Sequence, residues 1–166
     1  MTRASTVHPY DVAMLELVDK QQDELTLWIP MMIASYVEQR IGAGESRESA
    51  WTSAEAQREQ LFPGGKVADG QHVMNLVVDG EAVGVLWMGR PLGGSEDTWF
   101  VFYVEVDESH RGRGLGRQAM EAAEAWTIAH GGQRIALNVF GPNVVARSLY
   151  DSLGFQVMAT SMFKDL

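Results

Sequence analysis

The chain contains no cysteine, which excludes a disulfide framework, a thiolate metal site and a cysteine nucleophile, and suits a reducing cytoplasm. Stability has to come from packing. Basic residues are scarce: 13 Lys and Arg stand against 22 Asp and Glu, a formal charge of −9, so no general affinity for nucleic acid or an anionic membrane is expected. A cationic partner is favoured instead, and the first half is the acidic one, with net −7 over residues 1–83 against −2 over 84–166. Long hydrophobic runs are missing too. Leu25–Val37 is too short to span a bilayer and contains Pro30, and the first ten residues have no apolar core that would make a signal sequence. The expectation is a soluble, cytoplasmic protein. The four histidines, His8, His72, His110 and His130, show no ligand spacing such as H-E-x-x-H, so no metal is expected. There is no G-x-S-x-G nucleophile elbow. What is present is ordinary globular composition, 46% hydrophobic and 21% charged over 166 residues, enough for one well-buried core. We expect one domain over residues 1–166, its first 12 or so residues frayed.

No internal repeat interrupts the reading of period and punctuation. Leu15 and Leu17 alternate with Glu16, a weak strand signal. From about Gln22, Leu25, Trp28, Met32, Tyr36 and Ile41 recur at helical spacing until Gly42 and Gly44, with Pro30 expected to kink the helix or restart it. Ser46 offers capping chemistry for a second helix through Ala50, Ala54 and Leu61, stopped by Pro63-Gly64-Gly65. His72–Val78 and Ala82–Met88, joined by Asp79-Gly80, read as a hairpin. Thr98–Val106 is an almost continuous aromatic and branched run, expected to be a strand buried on both faces at the centre of the sheet. Leu115, Ala119, Ala122, Trp126 and Ala129 share a helical face, and Arg134–Phe140 returns as a strand, which makes a βαβ unit with parallel strands. Asn143 can cap a last helix through Leu153, ended by Gly154, before a final strand over Phe155–Phe163. The order gives a mixed α/β fold and not a doubly wound one.

The most informative segment is Val104 to Gly116, where a strand opens through glycines into a helix. Such a junction aims free backbone N–H groups at one spot, and the helix terminus adds about half a positive charge. Arg111, Arg113 and Arg117 reinforce an anion site there; the alternative is a solvated turn with glycines used for tight reversal. Gly114-Leu115-Gly116-Arg117-Gln118-Ala119 satisfies the dinucleotide pattern G-x-G-x-x-A, but a ribose-binding acid about 20 positions on is needed. No acid lies between Glu124 and Asp151. The triphosphate loop G-x-x-x-x-G-K-[ST] is absent as well, since Gly65-Lys66 is followed by Val67.

Arg111-x-x-Gly114-x-Gly116, straight after the apolar strand, resembles the acetyl-coenzyme A pyrophosphate loop [QR]-x-x-G-x-[GA] of the GNAT superfamily of N-acetyltransferases. Asn143-Val-Val-Ala146-Arg-Ser-Leu149-Tyr150-Asp-Ser-Leu153-Gly154-Phe155 is similar to the superfamily's N-x-x-A-x-x-x-Y-x-x-x-G-F segment. The resemblance covers about residues 13–164 in element order and is strongest over Val101–Phe155. Glu108 departs from it, standing where a proline is often found before the loop.

This resemblance implies a GNAT-like mixed, mostly antiparallel sheet with a parallel, splayed strand pair, flanked by about four helices. It implies acetyl-CoA or coenzyme A as co-substrate, without a metal. Val104 and Val106 would form the splayed edge that pairs with pantetheine. Arg111, Gly112, Arg113, Gly114, Leu115 and Gly116 would hold the pyrophosphate. Asn143 and Ala146 would contact the cofactor, with Asn143 alternatively only a helix cap. Tyr150 matches the tyrosine that donates a proton to the departing thiolate, or is simply core. Glu105 is a general base or water-ordering carboxylate, or else a solvated or ion-paired structural group. Trp28, Tyr36 and Trp87 line an acceptor pocket or belong to the core. The function implied is direct acetyl transfer to a primary amine of a small-molecule or peptide acceptor, favourably cationic, by a monomer or homodimer. The alternative is a non-catalytic acyl-CoA-binding sensor or accessory module.

Overall fold

The computed structural model describes residues 14–91, 93–162 and 164; the expected fraying of the first dozen residues falls outside them. Strand β1 (Glu16–Asp19) leads into α1 (Gln22–Gly42), α2 (Arg47–Leu61), the hairpin β2 (Gln71–Val78) and β3 (Glu81–Gly89), then β4 (Thr98–Val106), α3 (Leu115–Ala129), β5 (Arg134–Leu137) and α4 (Val144–Ser152). The strands form one sheet in the order β1-β2-β3-β4-β5. All neighbours are antiparallel except β4 and β5, which are parallel. The sheet is therefore mixed and mostly antiparallel, with a single βαβ unit at one edge. No helix among the described residues is long and apolar enough to cross a membrane.

Local chemistry accounts for most boundaries. Gln21 and Glu24 form a capping box at the start of α1, and the Ser46 side chain accepts the Ser49 amide at the start of α2. The hairpin turns on Asp79 and Gly80, both at positive φ, the conformation a two-residue turn requires if the strand twist is to be kept. Pro30 does not divide α1. The helix runs through it for 21 residues, with the proline on the exposed side, so its ring costs one backbone hydrogen bond and displaces no buried neighbour.

Two layers of helix cover the two faces of the sheet. Leu25, Ile29, Ile33 and Val37 of α1 pack with Ala50, Ala54 and Leu61 of α2 onto Val73 and Trp87. Leu115, Ala119, Met120 and Ala123 of α3 pack on the opposite face onto Met74, Leu76, Leu86, Met88, Trp99 and Val101. Each fully buried side chain of this size contributes about 1.5–3 kcal/mol, and the sheet is held from both sides.

Three expectations need correction. Strand β4 is the fourth of five strands rather than the central one. It is buried on one side at Trp99 and Val101, but its second half is half-buried or exposed, because pairing with β5 stops at Val101. The return strand is also shorter than expected, ending at Leu137. The final strand over Phe155–Phe163 is not formed: residues 155–162 are irregular, and Phe163 lies outside the described residues. Phe155 packs against the core, while Val157, Met158 and Met162 are exposed. A β-branched run becomes a strand only where a neighbour completes its hydrogen bonds, and none does so here among the described residues.

Candidate active site

The register of β4 changes at one residue. Trp87 faces Tyr103 and Met88 faces Val101, so Phe102 is an extra residue opposite β3. This bulge sits one residue beyond Val101, where pairing with β5 ends. Bulges bend and twist a strand, and the second half of β4 leaves its former neighbour at this point. The Asp107 amide donates to the Val83 carbonyl of β3 at 2.9 Å. Alternate residues of a strand present their backbone groups to opposite sides, so Tyr103, Glu105 and Asp107 face β3. The N–H and C=O groups of Val104 and Val106 face the gap left by β5. Their side chains pack on the α3 face, whereas Tyr103 packs on the α1 face, which Glu105, two residues on, shares.

The gap leads to the glycine-rich loop. Gly112 and Gly114 hold φ values of 77° and 78°, which side-chain-bearing residues rarely adopt, and Gly114 is the N-cap of α3. Among the described residues no carbonyl accepts from the amides of Gly112, Arg113, Gly114, Leu115 or Gly116. Five successive free donors at a helix start are an arrangement that can hold an anion, with the favourable end of the helix dipole behind it. The three arginines take different tasks. Arg117 reaches the Ser152 hydroxyl at 2.6 Å and so joins α3 to α4. Arg113 donates to the Ser109 carbonyl at 3.2 Å. Arg111 turns back to β4, donating from Nε to the Val106 carbonyl at 2.9 Å and from Nη2 to Glu105 Oε1 at 3.1 Å.

Glu105 is therefore ion-paired, one of the alternatives read from the sequence. Its other oxygen accepts a hydrogen bond from the Tyr103 hydroxyl. Burial, then the hydrogen bond to Glu105 and that carboxylate's charge, push the Tyr103 phenol well above its ordinary range. Tyr103 was missed in the sequence. Its signal was a tyrosine two positions before a carboxylate on one strand, which places both on one face.

Tyr150 lies on α4 and packs against the α3-side core, its ring 5.6 Å from that of Phe155. Burial pushes its phenol above the ordinary value of 10, so the group keeps its proton throughout the neutral range. Glu105 and Tyr150 thus stand on opposite faces of the sheet, and the open edge of β4 runs between those faces. Asn143 caps α4, its Oδ1 accepting the Ala146 amide at 3.2 Å. That amide and that oxygen are consequently engaged with each other. Helix α4 is pressed onto the loop at Gly116, where an added Cβ would lie 3.4 Å from Leu149.

On the α1 face, Trp28 meets Tyr103 edge-on at 5.7 Å, and Tyr36 lies 6.4 Å from Phe140. Both α1 rings are half-buried. Trp87, read as an alternative pocket residue, is core instead: it is 5% exposed and donates to Gln71 at 3.1 Å. Among the described residues no cluster of three or more His, Asp or Glu could hold a metal ion.

This geometry has counterparts in known proteins. Residues 31–155 match the family model described as the acetyltransferase (GNAT) family. The uncharacterized N-acetyltransferase YdgE of Bacillus subtilis is 28% identical over 153 residues, covering 90% of this chain and 97% of that protein. YycN of the same organism is 27% identical over 157 residues with the same coverage. Its crystal structure superposes with a TM-score of 0.84 at 26% identity, covering 92% of this chain and 99% of that one. The aminoglycoside N-acetyltransferase AAC(6')-Iy, solved in complex with CoA, shares the fold at a TM-score of 0.57 and 18% identity, covering 96% and 99% of the two chains. With three-quarters of its length inside the family match and the splayed β4–β5 pair opening onto a glycine-rich loop, the chain belongs to the acetyltransferase (GNAT) family.

Proposed function

We propose that the chain, acting as one domain, moves an acetyl group from acetyl-CoA to a primary amine of a small molecule or peptide, by direct attack within a ternary complex. The observation that carries this reading is the continuity of the open Val104–Val106 edge with the five free amides of Gly112–Gly116. An extended amide-bearing arm can pair along the first, and a diphosphate can seat on the second. Arg113 and Arg111 supply charge to the diphosphate. Asn143 and Ala146 support the loop from α4 in this reading, since their own polar groups are already joined.

In the transfer, the amine nitrogen attacks the thioester carbonyl, a C–N bond forms and the C–S bond breaks. A backbone donor on the open edge stabilises the oxygen as it gains charge. The ammonium proton leaves to Glu105 or to water ordered by it, and Tyr150 gives its proton to the departing thiolate. The acidic first half of the chain, which supplies α1 and α2, favours a cationic acceptor. YycN and YdgE are named N-acetyltransferases, which supports an amine as acceptor.

Calorimetric titration with acetyl-CoA, CoA, NAD and ATP, repeated on Arg111→Ala/Arg113→Ala, tests the cofactor. Micromolar binding of the CoA species alone, lost in the double variant, is expected; no binding of either CoA species would end this reading. A panel of amines then tests turnover. Tyr150→Phe is expected to lower kcat by about 10²–10⁴ while CoA affinity stays; undiminished kcat would remove its role, and an inert protein that binds acetyl-CoA would be a sensor or accessory module.

A further inference from the structure

We infer that Arg111 is a positioning residue shared between the glycine-rich loop and Glu105, with Tyr103 as the second anchor of that carboxylate. A diphosphate on the loop draws the guanidinium away. That frees Glu105 Oε1 and the Val106 carbonyl, and leaves Glu105 held by Tyr103. The inference rests on the acetyltransferase reading above and adds to it a competition between a carboxylate and the diphosphate for one guanidinium.

Arg111 belongs to the loop by sequence, but its side chain is committed to β4 through two contacts, at 2.9 and 3.1 Å. Both acceptors matter to the open edge. The Val106 carbonyl faces the gap, where an extended arm would need it as an acceptor. Glu105 Oε1 is the oxygen not already taken by Tyr103. One guanidinium therefore covers a backbone group and a carboxylate oxygen that the reaction requires.

Magnitude decides whether this contact can yield. The two side chains are 55% and 47% exposed, and an exposed ion pair is weak. Arginine forms charge-assisted contacts with carboxylate and phosphate alike, but here it meets one carboxylate oxygen through a single nitrogen, whereas a diphosphate offers more negative charge and oxygens for a bidentate contact. The phosphate also sits on five free amides, so its position is fixed before Arg111 moves. The Tyr103 contact differs. Its ring is packed against Trp28 and Tyr103 joins the α1-side core, so no ligand on the loop competes for its hydroxyl.

If Glu105 and a diphosphate compete for one guanidinium, weakening Glu105 as a competitor tightens the cofactor. Glu105→Gln removes the charge. Glu105→Asp keeps the charge but shortens the reach by one methylene, while the Arg111 Nε contact with Val106 holds the guanidinium back. Glu108→Gln removes a carboxylate beside the loop that pairs with no arginine among the described residues, and so measures general charge repulsion. CoA affinity of the full chain is measured by calorimetry for each. Glu105→Gln and Glu105→Asp are both expected to tighten CoA by about two- to fivefold, the range an exposed ion pair spans. Glu108→Gln is expected to do less than half of that. If Glu105→Asp binds CoA like the parent, or Glu108→Gln equals Glu105→Gln, the coupling is overturned and the acetyltransferase reading stands. If the parent does not bind CoA, both fall together.

Discussion

The two ends of the β4–α3–β5 unit are built on opposite principles. At the end where α3 begins, glycines, free amides and exposed arginines face an unpaired strand edge. At the end where α3 finishes, Trp99, Trp126, His72 and His130 pack ring against ring, with Trp126 and His130 stacked at 3.7 Å and Trp99 and Trp126 edge-on at 4.6 Å. The Arg90 guanidinium lies 4.0 Å from the Trp99 ring centre. Between the side chains this end relies on ring packing: Trp99 Nε1 and Thr127 Oγ1 are buried there without hydrogen-bond partners among the described residues, and the polar contacts run mainly to backbone, as from Gly132 to the Thr127 carbonyl at 2.9 Å. The open end leaves a run of loop amides without a carbonyl acceptor among the described residues, which the proposed function assigns to the cofactor. The closed end supplies the packing that keeps them in place, and the division should appear as different responses to substitution.

The largest effect is expected at the closed end. Trp99 is 5% exposed and touches α3, His72 and Arg90, so Trp99→Ala should cost about 3–5 kcal/mol in urea denaturation. Arg111→Ala, at the open end, should cost no more than about 1 kcal/mol because it loses only an exposed pair. Similar losses for the two would erase the distinction between the ends. Gly84→Ala comes next and tests whether the open end depends on its neighbour. A Cβ on Gly84 of β3 would lie 2.2 Å from the Glu105 carbonyl oxygen, so the two backbones must part. We expect a loss of about 1–3 kcal/mol together with weakened CoA binding; a tolerated alanine would show that β4 can move there freely.

Thr127→Val has the opposite sign. The substitution keeps the branched shape and deletes a buried hydroxyl that no group among the described residues satisfies. A gain of about 1 kcal/mol in unfolding free energy is expected. A loss would show that the hydroxyl has a partner, and that the closed end is not held by shape alone.

The ends also differ in how far they could be read from the sequence. The hairpin at Asp79-Gly80, the cap at Ser46 and the loop from Arg111 to Gly116 were legible because each depends on local backbone chemistry. The Phe102 bulge was not. In Thr98–Val106 both faces carry apolar residues, so a one-residue slip in register leaves no mark on the pattern. That slip places Tyr103 and Glu105 together on the α1 face. The pairing of Glu105 with Arg111 was equally hidden, because a loop arginine can turn toward a ligand or back toward its own strand. The missing final strand has a similar cause: Phe155–Phe163 has strand composition, but composition cannot supply a neighbour. The closed aromatic end went unread as a unit because His72, Trp99, Trp126 and His130 come from β2, β4, α3 and the residue that ends α3, and only the fold brings them together.

The smallest predicted effect joins the closed end to pH. Burial among the rings lowers the His72 pKa below its ordinary value of 6.5, opposed by the charge of Asp19 and assisted by that of His130. The unfolded chain therefore takes up this proton more readily than the folded one. By linkage, stability falls as pH drops below about 6.5 and stops falling once the folded imidazole is protonated too. Above 6.5 His72 contributes no slope. The carboxylates that the fold stabilises leave this window clear. Glu24, lowered chiefly by its hydrogen bond from the Gln21 amide, and Asp97, lowered chiefly by Ser95, lose their contributions only below the ordinary values of 4.5 and 3.8. Urea midpoints measured from pH 7 to pH 5 should decline in the parent and in Arg111→Ala, and the decline should flatten in His72→Gln. An unchanged slope in His72→Gln would mean that the imidazole reaches water in the folded state, and the closed end would then be as hydrated as the open one.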